Sequence, residues 1–313
     1  MPHPPNGSRW TPADIPDLTG TRALVTGATS GLGRAVVAAL AEHGAAVVPA
    51  SRNPDKLAAT VAEVRGRVRG ADLRPLVVDL SSLASVRRAA EEAATYGPLH
   101  LLVNNAGVMA TPYQRTPDGF ELQMATNVLG HFALTGLLLP RLVEAGTADT
   151  AARVVYVSSG AHRMARTAPS GDLRVHRGRY RRWQAYGQTK LADLLLAFEL
   201  DRRARQAGLP VQAMAAHPGL AATALMASGQ RGGGGRILDA ALSLLGQPAA
   251  LGALPLLMAA TADLAGGTYV GPGGPGEVRG MPEVVGTSDL ARDPEAARRF
   301  WEAAEAATGV SYP

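Results

Sequence analysis

The chain has 313 residues, of which 46% are hydrophobic and 18% charged, and this composition is typical of a folded protein with a sizeable core. It contains no cysteine, which excludes disulfides and thiolate metal sites and favours a reducing, cytoplasmic location. The formal net charge of +5 favours an anionic partner such as nucleic acid, acidic lipid or a phosphorylated cofactor.

Two segments bear on membrane targeting. Residues 1–20 carry prolines and polar side chains where a signal peptide requires an apolar core. The most apolar segment, residues 237–262, is interrupted by Gly246, Gln247 and Pro248, so each half is too short to span a bilayer. We therefore expect no transmembrane segment and interpret residues 237–262 as two packed amphipathic helices, with a membrane-facing lid as the alternative.

Short apolar runs alternate with helical patterns from residue 21 to about residue 270. In chain order the runs are RALVTG, AAVVPA, LRPLVVDL, LHLLVNNAG, ARVVYVSSG and LPVQAMAAHPG. They are nearly continuous in apolar residues, which is typical of strands buried on both faces of a parallel sheet. The pattern predicts an α/β fold, a Rossmann-like doubly wound parallel sheet flanked by helices in a single domain. Residues 1–17 would form an N-terminal arm and residues 18–313 the domain.

A glycine-rich turn, TGATSGLG, follows the first predicted strand and leads directly into a helix. Glycines permit a tight turn and let the backbone approach a pyrophosphate, while the helix start offers unpaired amides to the anion. The G-x-x-x-G-x-G spacing departs from the common G-x-G-x-x-G fingerprint, and any strand-to-helix turn can use glycine. Its position after the first strand predicts a cofactor-binding turn made by Gly27, Thr29, Ser30, Gly31, Leu32 and Gly33.

The end of the second predicted strand favours NADP(H) over NAD(H). NAD-binding proteins usually carry an acidic residue there, but this chain reads Ser51-Arg52-Asn53. Arg52 can form charge-assisted hydrogen bonds to a 2′-phosphate and Ser51 can add another. A solvated arginine near a helix start is the alternative interpretation. Asn53 is a candidate cofactor contact and also a candidate cap for the next helix.

Four motifs occur in order on the expected elements: TGATSGLG, NNAG at residues 104–107, the Ser158-Ser159 pair, and YGQTK at residues 186–190. Together they resemble the short-chain dehydrogenase/reductase family over roughly residues 18–270. Within it the chain is most similar to bacterial members of the retinol dehydrogenase and protochlorophyllide reductase-like branch. The resemblance implies an enzyme that interconverts a carbonyl and an alcohol on a small molecule with a nicotinamide cofactor.

Tyr186 and Lys190 are four residues apart and so lie on one face of a helix predicted over residues 184–205. A phenol has an ordinary pKa of about 10 and is a poor base at neutral pH. A nearby ammonium stabilises the phenolate, which suits Tyr186 as the general acid in reduction and the general base in oxidation. The resemblance gives Lys190 a second role, hydrogen bonding to the nicotinamide ribose.

Ser158 ends a predicted strand, where ligands of open α/β sheets bind, and its hydroxyl can stabilise charge on the substrate oxygen. Ser159 follows directly, and the choice of Ser158 rests on family register. Asn127 resembles the family asparagine that holds a water leading to the catalytic lysine; a local structural role is the alternative. The remaining family cofactor contacts map onto Asp79, Leu80, Asn105, Ala106, Gly107, Pro218, Gly219, Ala221 and Thr223.

The long interval between Ser158 and Tyr186 predicts an active-site insertion at about residues 160–183, and residues 220–247 are predicted to form a substrate lid. Apolar lid residues suggest a lipophilic substrate: Leu225, Met226, Ile237, Leu238, Leu242 and Leu245. Trp183 either packs against substrate or anchors the helix start. The arginine run at residues 174–182 would pass the pocket mouth, so a nucleic-acid partner is not expected.

Metal binding, a second possible function and the oligomeric state remain to be considered. His131, His162, His176 and His217 are not at ligand spacing, so no metal is expected. A catalytically silent, dinucleotide-sensing regulator on the same fold is the alternative function, although such proteins commonly lose the tyrosine or lysine. Most family members form homodimers or homotetramers, but the oligomeric state varies more within this branch. The resemblance therefore leaves the oligomeric state of this chain open.

Overall fold

The computed structural model describes residues 10–147, 149–175, 178–220 and 247–313. Within these residues eight strands form one sheet: β1 (Arg22–Thr26), β2 (Ala46–Ser51), β3 (Leu76–Val77), β4 (Leu101–Asn104), β5 (Ala152–Val157), β6 (Val211–Ala216), β7 (Tyr269–Pro272) and β8 (Pro282–Val284). Their order is β3-β2-β1-β4-β5-β6-β7-β8. All neighbours pair in parallel except β7 and β8, which are antiparallel.

The described helices are α1 (Gly31–Glu42), α2 (Pro54–Arg67), α3 (Leu83–Ala94), α4 (Leu122–Met124), α5 (Gly130–Ala145), α6 (Arg182–Gln206), α7 (Ala249–Gly252), α8 (Leu254–Thr261), α9 (Asp289–Arg292) and α10 (Pro294–Thr308). A π-helical turn, Ala125–Leu129, joins α4 to α5. Local chemistry sets the helix ends. Asn53 caps α2 as predicted, its side chain accepting from the Lys56 amide at 2.9 Å, and Pro54 occupies the first position.

Helices cover both faces of the sheet, and the strands alternate between two cores. On β5, Val154 and Tyr156 belong to one buried cluster, with side chains of α3, α5, α6 and α10. Val155 and Val157 belong to the other, with side chains of α1, α2 and α8. Since successive side chains of a strand point to opposite faces, both faces are buried, which explains the continuous apolar runs in the sequence.

The structure confirms the predicted Rossmann-like parallel sheet and adds an ending that the sequence reading lacked. The antiparallel β8 and the helix α10 extend the fold beyond residue 270. Trp301 on α10 is fully buried, with its ring centroid 5.0 Å from that of Phe132 and 4.7 Å from that of Tyr312. The C-terminal residues are therefore part of the core.

One helical segment, Leu122–Ala145, is long and apolar enough to cross a membrane by length and composition. However, 61% of its most apolar window is buried inside the fold, and the core helix of a globular protein passes the same test. The two helices expected in residues 237–262 correspond, within the described part of the chain, to α7 and α8.

Candidate active site

A groove of about 240 Å³ lies at the carboxyl ends of β1, β2 and β4. Its lining includes most of the predicted cofactor contacts: Gly27, Thr29, Ser30, Gly31, Leu32, Gly33, Ser51, Arg52, Asp79, Leu80, Asn105, Ala106 and Gly107. Asn53 is not in the lining, since its side chain caps α2. Ala221 and Thr223 lie outside the described residues, as do the apolar lid residues and His176.

The glycine turn at the head of the groove requires glycine at particular positions. Gly27 has a φ of +68° and Gly31 one of +51°, in the left-handed region that glycine adopts without strain. A Cβ on Gly33 would lie 2.3 Å from the Gly27 carbonyl oxygen. Ser30 precedes α1 without making a side-chain capping hydrogen bond, so the first amides of the helix remain available to an anion.

Thr26, the last residue of β1, fixes the NNAG loop beside this turn. Its hydroxyl oxygen accepts from the Asn105 amide at 2.9 Å and from the Ala106 amide at 3.0 Å. The Asn105 side chain donates back to the Thr26 carbonyl at 2.7 Å. The loop is thus held by β1, and a Cβ on Gly27 would come within 2.8 Å of the Ala106 Cα.

The β2 end of the groove carries a positive charge. Arg52 is exposed and lines the groove, and the Ser51 hydroxyl lies 3.3 Å from the Thr29 hydroxyl. Asp79 is the one carboxylate among the lining residues, and it accepts from the amide and hydroxyl of Ser81 at 2.9 and 2.7 Å. Asp79 therefore orders the turn into α3, and among the described residues it is Ser81, not Arg52, that its carboxylate pairs with.

The residues present fit a dinucleotide. Gly27 and Gly33 let the turn and the NNAG loop approach closely, and the buried Thr126 hydroxyl, which also lines the groove, has no hydrogen-bond partner among the described residues. A bound polar group would satisfy that hydroxyl. Sequence reasoning missed Thr126, and its position directly before Asn127 was the available signal.

Tyr186 and Lys190 lie together on α6, as their spacing predicts. Tyr186 is 6% exposed, and the Lys190 Nζ lies 5.7 Å from the centre of its ring. Nζ also donates to the Val157 carbonyl and to the Asp193 carboxylate, both at 2.9 Å. Burial raises the pKa of Tyr186, whereas the Lys190 ammonium and a hydrogen bond with Ser159 act to lower that pKa. Lysine and serine therefore assist ionisation of the phenol.

The structure does not support Ser158 as the residue that orients the substrate oxygen. Ser158 is 2% exposed, and its hydroxyl donates to the Lys190 carbonyl at 2.7 Å, so it ties β5 to α6. Ser159 points the other way, because consecutive side chains at a strand end face opposite sides. Its hydroxyl accepts from the Ala161 amide at 3.2 Å and interacts with Tyr186, whose pKa it acts to lower.

Asn127 lies in the π-helical turn between α4 and α5. Its side chain accepts from the Val108 amide at 2.7 Å and donates to the Val108 carbonyl at 2.9 Å and to the Thr189 hydroxyl at 3.1 Å. It thereby joins the loop beside the groove to the catalytic helix. Its expected role in a water path to Lys190 stays a prediction.

His131 is a second polar residue of this region that sequence reasoning did not place in the site. Its Nδ1 lies 2.8 Å from the Asn127 carbonyl and its Nε2 2.9 Å from the Thr26 hydroxyl. Burial lowers the pKa of His131 to about 4, so the ring is neutral at pH 7. A neutral ring that donates from Nδ1 to the carbonyl accepts at Nε2 from Thr26.

The Pro218-Gly219 turn follows β6 but is not in the groove lining. Gly219 has a φ of +64°, and a Cβ there would lie 2.4 Å from the Val278 carbonyl oxygen. The Gln247 amide donates to the Leu220 carbonyl at 2.9 Å, so the two described ends of the predicted lid are bonded to each other. The remainder of the lid lies outside the described residues.

The insertion before α6 packs on the segment that leads to Asn127. The Tyr180 hydroxyl bonds with Glu121 at 2.8 Å and accepts from the Gln123 amide nitrogen at 2.7 Å. Arg174 stacks over Phe120, with its guanidinium carbon 4.4 Å from the ring centre. Trp183 is 38% exposed and meets Tyr186 edge-on at 6.3 Å between centroids, which leaves both of its predicted roles open.

A second pocket, of about 370 Å³, lies between this insertion and the outer side of α6. Arg174, Arg179 and Arg181 line it, whereas Tyr186 does not. Among the described residues, no group of three or more His, Asp or Glu side chains is placed to hold a metal ion.

Known proteins resemble this chain in sequence. Residues 21–171 match the family model described as short chain dehydrogenase. Polyprenol dehydrogenase from Mus musculus is 38% identical over 309 residues, covering 96% of this chain and 88% of that protein. Retinol dehydrogenase 12 from Mus musculus is 40% identical over 208 residues, covering 65% of this chain and 62% of that protein.

Solved structures show the same relationship. An uncharacterized protein from Mycobacterium paratuberculosis has a TM-score of 0.76 and 39% identity, covering 98% of this chain and 100% of its own. RhlG from Pseudomonas aeruginosa, solved as an NADP active-site complex, has a TM-score of 0.62 and 26% identity, covering 81% and 94% of the two chains. With the groove and the Tyr186–Lys190 pair, these likenesses identify an oxidoreductase that uses a nicotinamide dinucleotide. The chain belongs to the short-chain dehydrogenase/reductase family, in its retinol dehydrogenase-like branch.

Proposed function

We propose that this protein is an NADP(H)-dependent oxidoreductase that interconverts a carbonyl and an alcohol on a lipophilic small molecule. The observation that carries the proposal is the grouping of the buried Tyr186 and Lys190 side chains with Ser159 at the carboxyl end of β5. A phenol held between an ammonium and a hydroxyl is suited to moving a proton to or from an oxygen atom.

In the reductive direction Tyr186 donates its hydroxyl proton to the substrate oxygen, and in oxidation its phenolate accepts the proton of the alcohol. Lys190 stabilises that phenolate through its positive charge. Ser159 hydrogen-bonds to the substrate oxygen and stabilises the charge that develops there. A nicotinamide cofactor held in the groove by residues such as Gly27, Asn105 and Gly107 would supply the hydride in reduction and accept it in oxidation. Asn127 bonds to Val108, directly after the NNAG loop, and to Thr189 of α6, and so maintains the distance between the groove and Tyr186.

The preference for NADP(H) rests on the β2 end of the groove. Arg52 is exposed there, and Ser51 and Thr29 place two hydroxyls beside it. A guanidinium with neighbouring hydroxyls is a suitable partner for a 2′-phosphate. The NADP complex of the similar RhlG structure agrees with this choice.

The proposed substrate class is a lipophilic aldehyde, ketone or alcohol. Two relatives are named as dehydrogenases of polyprenol and retinol, which are both hydrophobic alcohols. The basic, aromatic insertion around Trp183 borders Tyr186 and would form part of the rim.

The test is a screen of the purified protein for reduction of isoprenoid and aliphatic aldehydes and ketones with NADPH or NADH, and for oxidation of the corresponding alcohols with NADP⁺ or NAD⁺. The variant Lys190→Ala serves as the inactive control. We expect turnover of apolar substrates that is faster with NADP(H) than with NAD(H) and about 100-fold or more lower in Lys190→Ala. Tight NADPH binding without turnover on any substrate would contradict the proposal and favour a dinucleotide-sensing protein.

A further inference from the structure

The catalytic face of α6 continues beyond Lys190 to Asp193. Steps of four and three residues place Tyr186, Lys190 and Asp193 in one stripe. The Lys190 and Asp193 side chains are 6% and 2% exposed, and 2.9 Å separates Nζ from Oδ2. The Val157 carbonyl at the end of β5 is the other acceptor of Nζ, also at 2.9 Å. The ammonium is thus held between a strand end and a carboxylate of its own helix.

We propose that Asp193 is a positioning residue of the active site, which holds the Lys190 ammonium in a buried ion pair and offsets the charge that this ammonium presents to Tyr186. The proposal rests on the proposed function of Tyr186 as the group that moves the proton. It assigns to Asp193 the setting of the pH range in which Tyr186 does so.

The ion pair is buried, so its charges interact strongly. An unpaired ammonium in such a site would attract the phenolate of Tyr186 at full strength, whereas a carboxylate 2.9 Å from Nζ cancels much of that field. Burial raises the pKa of Asp193 to about 6, with Lys190 opposing the rise, so the carboxylate is ionised at pH 7. Burial acts to lower the pKa of Lys190, but the attraction of Asp193 and Tyr186 raises it overall.

The other titratable groups around this pair are tyrosines and one neutral histidine. Tyr156 of β5 and Tyr269 of β7 have a raised pKa, caused first by burial and to a smaller extent by the Asp193 charge. Tyr269 also interacts with Glu277 and Arg163. His131 of α5 is neutral at pH 7, because burial, and to a smaller extent the Lys190 charge, lower its pKa. Among these groups, Asp193 is the carboxylate that contacts Nζ.

The sequence offers a clean probe, because the chain has two lysines, Lys56 and Lys190. Protein labelled with ¹³C at lysine Cε gives one resonance for each, and Lys56 is an exposed internal reference. In the wild-type protein we expect Lys190 to titrate above the ordinary pKa of lysine, because the Asp193 carboxylate stabilises its ammonium. We also expect the Lys190 resonance, and not that of Lys56, to shift at acidic pH when Asp193 takes up a proton. A Lys190 pKa below the ordinary value of lysine would overturn the ion pair, because a buried ammonium without a carboxylate partner loses its proton more readily. This measurement needs no variant to fold.

A second experiment compares the variant Asp193→Asn with the control Asp201→Asn. Asp201 is another buried carboxylate of α6, and it pairs with Arg205 on the same helix. Asp193→Asn should lower the pKa of Lys190 by about 1 to 3 units, and Asp201→Asn should leave it unchanged. In ¹³Cζ-tyrosine spectra, assigned with Tyr186→Phe, the Tyr186 titration should move to lower pH in Asp193→Asn, because Lys190 stays charged at neutral pH. An unchanged or higher Tyr186 midpoint would overturn the proposal.

With any substrate that turns over, the acidic limb of kcat/KM for alcohol oxidation should shift to lower pH in Asp193→Asn and stay in place in Asp201→Asn. The NMR titrations do not depend on turnover. A protein that shows the shifts but oxidises nothing would contradict the proposed function alone, and an active protein without the shifts would contradict the role of Asp193 alone.

Discussion

The groove at the β1 and β2 ends and the catalytic face of α6 are built in different ways. The groove is shaped by backbone: glycine dihedrals, open helix amides and a loop bonded to Thr26. The face of α6 is made of side chains buried against β5, where Lys190 meets Val157 and Asp193. The first region offers a backbone shape and open amides that suit an anion, and the second places charges around a phenol.

This difference decides what the sequence can predict. The glycine turn and the Tyr186–Lys190 pair are local patterns, because a turn needs glycine at fixed positions and a helix repeats every four residues. The choice between Ser158 and Ser159 is not local. It depends on which side of the β5 end packs on α6, and Ser158 proved to be the one bonded to the helix backbone.

Thr126, His131 and Asp193 escaped prediction for a related reason. Each is a polar residue in a mainly apolar helical segment, and sequence alone does not distinguish a side chain that bonds its own helix from one that faces a site. Thr126 lines the groove, His131 contacts Thr26, and Asp193 pairs with Lys190. These contacts form only when segments distant in sequence, or successive turns of one helix, pack in the folded protein. The C-terminal α10 was missed because its apolar face resembles that of any surface helix.

The largest expected effect separates the two serines. Ser159→Ala should lower kcat by about 100-fold or more, because a donor to the developing oxyanion is lost. Ser158→Ala, its matched control, should lower stability in thermal unfolding while leaving kcat within about threefold, since its hydroxyl bonds to backbone. Equal losses of kcat in both variants would remove the distinction drawn at the end of β5.

An intermediate effect is expected in the groove. Arg52→Asp should reduce the ratio of kcat/KM for NADPH to that for NADH by about 10- to 100-fold, because a charge-assisted bond to the 2′-phosphate is replaced by repulsion. Arg69→Asp, an exposed arginine beyond α2, is the charge-matched control and should leave the ratio unchanged. If the ratio stays at its wild-type value in Arg52→Asp, the 2′-phosphate is recognised elsewhere.

The smallest effect concerns Asn53, which was a candidate cofactor contact and lies outside the groove lining. Asn53→Ala should cost about 1 kcal/mol in the free energy of unfolding, because the cap of α2 is lost. Denaturant titration measures that loss, and NADPH binding followed by fluorescence should change less than about threefold. A much larger loss of NADPH affinity would return Asn53 to the cofactor site.

The central claim is that Tyr186 transfers the proton while the groove holds the cofactor independently. Single-turnover oxidation of prebound NADPH by a substrate from the screen tests it most directly, in the wild type, Tyr186→Phe and the control Tyr96→Phe. Tyr96 lies just beyond the end of α3 and bonds with Glu92. We predict a rate at least about 100-fold lower in Tyr186→Phe alone, with NADPH affinity retained in all three. A Tyr186→Phe rate close to that of the wild type would contradict the account.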